Sequence, residues 1–186
     1  MGKERSSSWY DAAFAASSLY AAPYNEVQVY LPLWSASAAL ISYLNIKSIL
    51  DIGCGMGHFA ALMYDRHPEV RYCGMDFSEY AVEYCKDMYD EMEFYLSDAV
   101  TDKISPDFDA YVCQEMLEHV TEDLQVIAKI PKDKLLIFSL PRFDADGHVR
   151  WFPQITDVVQ RYDHLFTGLT VSPIGAAHYL CSGYRL

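Results

Sequence analysis

The sequence predicts an α/β fold: a seven-stranded, mostly parallel sheet flanked by helices, with a helical extension over residues 1–45 in front of it. Two observations carry this expectation. From residue 46 onward, short apolar runs alternate with amphipathic stretches, the pattern of strands joined by helical crossovers. The first apolar run, Ser48 to Ile52, passes directly into Gly53, Gly55 and Gly57, a turn suited to ending a strand and opening a helix. At 186 residues and 52% hydrophobic content, the chain is one domain's length with enough apolar surface for a sizeable core.

The strands are expected at Ser48 to Ile52, Arg71 to Met75, Glu93 to Leu96, Asp109 to Cys113, Leu135 to Leu140, Thr167 to Val171 and His178 to Tyr184. Between the first two, Gly57 to Arg66 has helical spacing and stops ahead of Pro68. Ser78 supplies an N-cap hydroxyl for a second helix, Thr121 caps a short one that ends before Pro131, and Pro153 to Tyr162 forms another. Residues 1–45 differ in composition, being Ser/Ala-rich and aromatic, with Trp9, Tyr10, Tyr20, Tyr24, Tyr30 and Trp34. Pro32 suits the first turn of a helix running to about Leu44. So short a segment buries too little core to stand alone, so it is read as a lid packed over the sheet edge, with residues 46–186 as the main domain.

Charge and composition narrow the partners. Twenty-six acidic against 14 basic side chains leave a net charge of −12, which opposes unassisted contact with nucleic acid or an anionic membrane. No apolar run approaches the ~18 residues of a membrane span, and the first residues lack the apolar region of a secretory signal. Cys54, Cys73, Cys85, Cys113 and Cys181 are scattered without a C-x-x-C pair, as expected for reduced, buried thiols of a soluble cytoplasmic protein. A small molecule is the expected partner.

The glycine turn has the spacing G-x-G-x-G, not the G-x-G-x-x-G of a dinucleotide site, and no Gly-Lys-Ser/Thr of a P-loop follows. Asp76 lies 23 residues after Gly53, where the second strand ends, and a carboxylate there can accept both hydroxyls of a ribose. Asp98 follows the end of the third strand, in Leu96-Ser-Asp98-Ala99. Either aspartate alone is an ordinary turn former; two of them plus the glycines, at three successive strand ends, form a pattern. The run Leu50-Asp-Ile-Gly-Cys-Gly-Met-Gly57 resembles the first motif of class I methyltransferases, Rossmann-like enzymes that use S-adenosylmethionine. The resemblance extends over about residues 46–186 and implies a cofactor site at Asp51, Gly53, Cys54, Gly55, Gly57, Asp76, Phe77, Asp98, Ala99, Gln114 and Glu115. It gives Asp98 the adenine amino group and Ala99 the ring. Asp51 and Glu115 would favour the cationic sulfonium, and the aromatic residues of the lid would do so through their ring faces.

Strand four runs into Cys113-Gln-Glu115-Met-Leu-Glu118-His119-Val120, which closely resembles the same stretch of ubiquinone-biosynthesis O-methyltransferases and, more loosely, of small-RNA 3′-terminal 2′-O-methyltransferases. The resemblance implies a divalent metal, magnesium or similar, on Glu115, Glu118 and His119, with His148 completing the set. Many methyltransferases carry Leu-Glu-His here without a metal, so both readings stand at this stage, and His119 is then a base or a core histidine. The loop after strand five, Phe143 to Phe152, belongs at the carboxyl edge, where acceptors bind. His148 has the pKa to take a proton from an acceptor hydroxyl. Arg142 and Arg150 either clamp an anionic acceptor or hold the loop together, Arg150 by pairing with Asp144 or Asp146. The expected activity is methyl transfer to oxygen on a small hydroxylated or anionic metabolite, with His148, His119 and Arg150 at the chemistry. The alternatives are RNA 2′-O-methylation, transfer to nitrogen, and a non-catalytic module that binds the cofactor.

Overall fold

The computed structural model describes residues 2–186. Seven strands form one sheet: β1 (Ser48–Ile52), β2 (Arg71–Asp76), β3 (Glu93–Leu96), β4 (Ala110–Cys113), β5 (Leu135–Pro141), β6 (Phe166–Ile174) and β7 (His178–Arg185). Their spatial order is β3-β2-β1-β4-β5-β7-β6. The first five pair in parallel, whereas β7 runs antiparallel between β5 and β6. The seven predicted strands are all present and shift by a few residues at most at either end. The largest shift is at β6, which continues beside β7 as an antiparallel hairpin and carries Pro173 on the open edge, where a missing N–H costs no ladder bond.

The helices are α1 (Ser7–Ala16), α2 (Ser18–Ala21), α3 (Leu31–Tyr43), α4 (His58–Arg66), α5 (Glu79–Met88), α6 (Asp123–Lys129) and α7 (Ile155–Tyr162). Ser78 caps α5 by accepting the Ala81 N–H at 3.1 Å, as the sequence predicts. Thr121 does not cap α6. Its N–H and hydroxyl both bind the Glu4 carboxylate, at 3.0 and 2.8 Å, and α6 starts two residues later. One face of the sheet carries the core of α3, α4 and α5, with Leu33, Ile41, Leu62, Met63 and Val82 buried. The other carries α6 and α7, with Val126, Ile127, Val158 and Tyr162 buried.

Residues 1–45 therefore divide. The apolar side of α3 turns Leu33, Trp34, Ala38 and Ile41 into the main core, so this helix is part of the sheet's covering layer. Only the segment before it lies over the carboxyl ends of the strands, where Phe14 packs with Met56 and Ala81. Among the described residues, no helix is long and apolar enough to cross a membrane.

Candidate functional site

The site grows from the turn that leaves β1. Gly53, Gly55 and Gly57 all have positive φ, at 76°, 51° and 77°. Gly53 is also closely packed, since a Cβ there would stand 2.7 Å from Met116 Cγ. The N–H groups of Gly53 and Cys54 donate to the Met75 carbonyl at 2.8 and 3.1 Å, tying the turn to the end of β2. One residue further along β2, the Asp76 carboxylate accepts the Gly55 N–H at 2.9 Å and the Ser78 N–H at 2.9 Å. Burial raises the Asp76 carboxyl above its usual range, and these backbone bonds oppose that rise. At the end of β3, Asp98 accepts the Val100 N–H at 2.8 Å, and its own N–H is held by Asp102. Asp51 is buried beneath the turn and accepts the Tyr72 hydroxyl; burial pushes its carboxyl up to about 7.

Asp51, Gly53, Cys54, Gly55, Asp76 and Asp98 share one cavity of about 410 Å³. Asp51, Gly53, Cys54 and Gly55 line its floor; Asp76, Phe77, Asp98 and Ala99 line one side. Gln114 and Glu115 line it at the end of β4, and the side-chain amide of Gln114 is buried without a hydrogen-bond partner. Gly57 lies outside the lining: it is the N-cap of α4, and its N–H donates to the Cys54 carbonyl, so it shapes the turn from behind.

His119 and His148 line the other end, and Glu118 lies buried behind the lining; the three each offer a ligand atom within 4.8 Å of the others. Glu118 is completely buried and neither carboxylate oxygen has a hydrogen-bond partner. Burial, and after it the charge of Glu115, pushes its carboxyl well above the ordinary value. The Nδ1 of His119 lies 3.1 Å from the Gly147 carbonyl, and that of His148 lies 3.2 Å from the Phe143 carbonyl. A carbonyl only accepts, so both Nδ1 atoms donate, a tautomer that puts the lone pair of an uncharged ring on Nε2. The His119 Nε2 lies 3.9 Å from Glu118 Oε1, and the two imidazole centroids are 4.9 Å apart. Burial lowers the His119 pKa, favouring the neutral form.

Glu115 does not join this trio. The segment after β4 is a turn rather than a helical one, and Glu115 adopts φ 53°. Its carboxylate instead accepts Ser139 Oγ at 2.8 Å and lies 3.3 Å from His178 Nε2. Arg150 also departs from expectation. Its guanidinium donates to the carbonyls of Leu117, Val120 and Thr121 and pairs with the buried Asp123 at 3.3 Å, not with Asp144 or Asp146. Arg150 thus holds the Glu118–His119 turn from outside, away from the cavity. Arg142 lies over the Tyr179 ring at 5.1 Å.

The segment before α3 completes the cavity with Tyr10, Phe14, Tyr20 and Tyr30. It is tied down by contacts that sequence reasoning did not find. Gly2 N–H donates to the His148 carbonyl at 2.9 Å, Arg5 pairs with Asp146 at 2.8 Å, and Asp11 accepts the Ser78 hydroxyl at 2.6 Å. These are single polar residues meeting partners far along the chain, and no periodicity or spacing marks them. Ser139 and His178, which hold Glu115, are equally unmarked.

Five parallel strands extended by β7, which runs antiparallel to its neighbours β5 and β6, with the glycine turn and the acidic strand ends on one edge, make a Rossmann-like α/β fold. Residues 49–132 match the family model described as a methyltransferase domain. A ubiquinone biosynthesis O-methyltransferase from Alkalilimnicola ehrlichii is 34% identical over 96 residues, 48% of this chain and 38% of that protein. A malonyl-[acyl-carrier protein] O-methyltransferase from Acetivibrio thermocellus is 28% identical over 98 residues, 49% of this chain and 34% of that protein. The chain thus matches little more than a third of the length of these curated relatives. Among solved structures, PigF with SAH aligns at TM-score 0.69 and 15% identity, over 85% of this chain and 56% of that one.

Proposed function

We propose that this protein transfers the methyl group of S-adenosylmethionine to an oxygen of a small hydroxylated acceptor. One observation carries the reading: Asp76 and Asp98, at neighbouring strand ends beside the glycine turn, share a cavity with two imidazoles whose Nε2 atoms are free. The adenosyl ribose lies on Asp76, with the adenine at Asp98, Ala99 and Phe77. The unpartnered amide of Gln114 and the carboxylates of Asp51 and Glu115 face the cationic end of the cofactor. His148 or His119 then takes the acceptor proton through Nε2 while the methyl moves in line from sulfur to oxygen.

A neutral hydroxylated acceptor fits better than an anionic one. Arg150 is engaged with carbonyls and Asp123, and Arg5, the one Lys or Arg lining the cavity among the described residues, is paired with Asp146. RNA fits the net charge of −12 poorly. The donor set of Glu118, His119 and His148 suits a divalent cation, because the buried Glu118 carboxylate lacks any partner and both Nε2 lone pairs are open. A cation held there would supply Lewis-acid polarisation of an acceptor oxygen. Five free, buried cysteines accord with a reducing cytoplasm.

The test is calorimetric titration with S-adenosylmethionine, followed by assay of S-adenosylhomocysteine release across labelled pools of hydroxylated metabolites. Binding with product formation supports the enzyme. Binding with no product in any pool makes the chain a cofactor-binding module, and absence of binding removes the reading.

A further inference from the structure

We propose that Tyr10, contributed by the segment outside the matched methyltransferase region, forms an aromatic roof over the sulfonium of the bound cofactor. The inference rests on the cofactor placement proposed above. Tyr10 lines the cavity from α1, and its ring bridges the two ends of the site. On one side its centroid is 5.4 Å from that of Phe77, the residue following the ribose carboxylate Asp76. On the other it is 6.1 Å from the imidazole of His119. A cofactor with its ribose on Asp76 and its methyl aimed at an oxygen beside His119 must place its sulfur between those two neighbours, beneath this ring. Phe14 backs the ring at 5.7 Å and Trp9 meets it edge-on at 5.0 Å, so the ring has few other places to go.

The anchoring of α1 reinforces the placement. Asp11, the next residue, accepts the Ser78 hydroxyl at 2.6 Å and the Tyr80 N–H at 3.2 Å. Ser78 in turn gives its own N–H to Asp76. The residue that orients the ribose carboxylate is therefore the one that seats the Tyr10 helix. Burial raises the Tyr10 phenol above its ordinary value, with Tyr20, Glu118 and Asp76 adding to the rise, so the hydroxyl is neutral at pH 7. Attraction for a cation then comes from the ring face.

S-adenosylmethionine is cationic at sulfur and S-adenosylhomocysteine is not, so the ratio of their affinities reads this contact without knowledge of the acceptor. Calorimetry on the full chain compares wild type, Tyr10→Phe and Tyr10→Leu. Tyr10→Phe keeps the wild-type ratio. Tyr10→Leu weakens S-adenosylmethionine relative to S-adenosylhomocysteine by between about twofold and thirtyfold, the range of a partly desolvated cation–π contact. Equal weakening of both ligands overturns the proposal, and so does a selective loss already present in Tyr10→Phe, which would assign the effect to the hydroxyl. If Tyr10→Leu binds neither ligand, Tyr10→Met, which keeps a long side chain, decides by the same ratio. Wild-type protein that binds neither ligand defeats the cofactor reading itself, a result distinct from any of these.

Discussion

The carboxylate of Asp76 accepts the Gly55 N–H at 2.9 Å, so the residue that ends β2 also closes the turn that ends β1. Each of its oxygens already has one backbone partner, which fixes the carboxylate's orientation while leaving a lone pair on each oxygen for a ligand. Asp76→Asn keeps a single acceptor oxygen and turns the other into a donor, so one of two charge-assisted bonds to the ribose is lost and the other weakened. The expected cost is roughly 10- to 100-fold in affinity for S-adenosylhomocysteine, following the usual 1.5–3 kcal/mol for bonds to charged groups. Calorimetry measures it. An unchanged isotherm removes the ribose from Asp76.

Asp51 gives the cavity a pH dependence. Burial lifts its carboxyl to about 7, the Tyr72 hydroxyl bond works against that, and the charge of Asp76 adds to it. A folded pKa above the unfolded value favours the neutral acid in the native state. Its stabilising contribution is complete below about 4 and is lost as pH rises through about 7. Asp51→Asn, which retains an oxygen for Tyr72, should therefore raise the melting temperature at pH 8 relative to wild type and flatten the change between pH 5 and pH 8. The cationic cofactor favours the ionised carboxyl, so at pH 7 its binding should release part of a proton. Titrations in buffers of differing ionisation enthalpy detect this. Identical heats in two such buffers at pH 7 would count against the coupling.

The sheet was legible because its strands are continuous apolar runs bounded by turn residues, and the places of Asp76 and Asp98 at the cavity were legible because one closes such a run and the other follows one by two residues. The end of the cavity at His119 and His148 was legible only in part. Glu115 and Glu118 are three residues apart, but the intervening chain does not form a helical turn, and Glu115 is diverted to Ser139 and His178. Its partners come from β5 and β7, and no local spacing reports a contact between strands so far apart in sequence. Arg150 illustrates the same limit. A cation in a loop near the site has the composition of an anion clamp, yet here the nearest unsatisfied groups are the carbonyls of Leu117, Val120 and Thr121.

That arrangement gives Arg150 a structural prediction. Lysine can approach one or two of those carbonyls but cannot reproduce the planar fork that reaches three of them and Asp123 together. Arg150→Lys should lower the melting temperature by a few degrees, roughly 1–2 kcal/mol for a domain of this size. Asp123 is still held by Arg161 at 2.6 Å and by the Tyr162 hydroxyl at 2.7 Å, which limits the loss. Affinity for S-adenosylhomocysteine, measured well below the transition, should change less than about threefold. A large affinity loss with no loss of stability would return Arg150 to the binding machinery.

Glu118 supplies the sharpest contrast between a held cation and a bare acidic pocket. Its carboxyl is wholly buried with neither oxygen partnered, and its pKa is pushed well above the ordinary value, so ionising it without a cation opposes folding. In chelator-treated protein the melting temperature should fall as pH rises, because the native state holds the proton that the unfolded chain releases. Adding magnesium, manganese or zinc should raise it in a concentration-dependent manner if the cation binds only the folded form. Glu118→Gln should melt higher than wild type after chelation at pH 8 and should gain little from the same ions. Thermal denaturation with and without each ion checks both halves. A wild-type protein indifferent to all three ions would leave Glu118 as a protonated core carboxyl. The two imidazoles would then handle the acceptor proton alone.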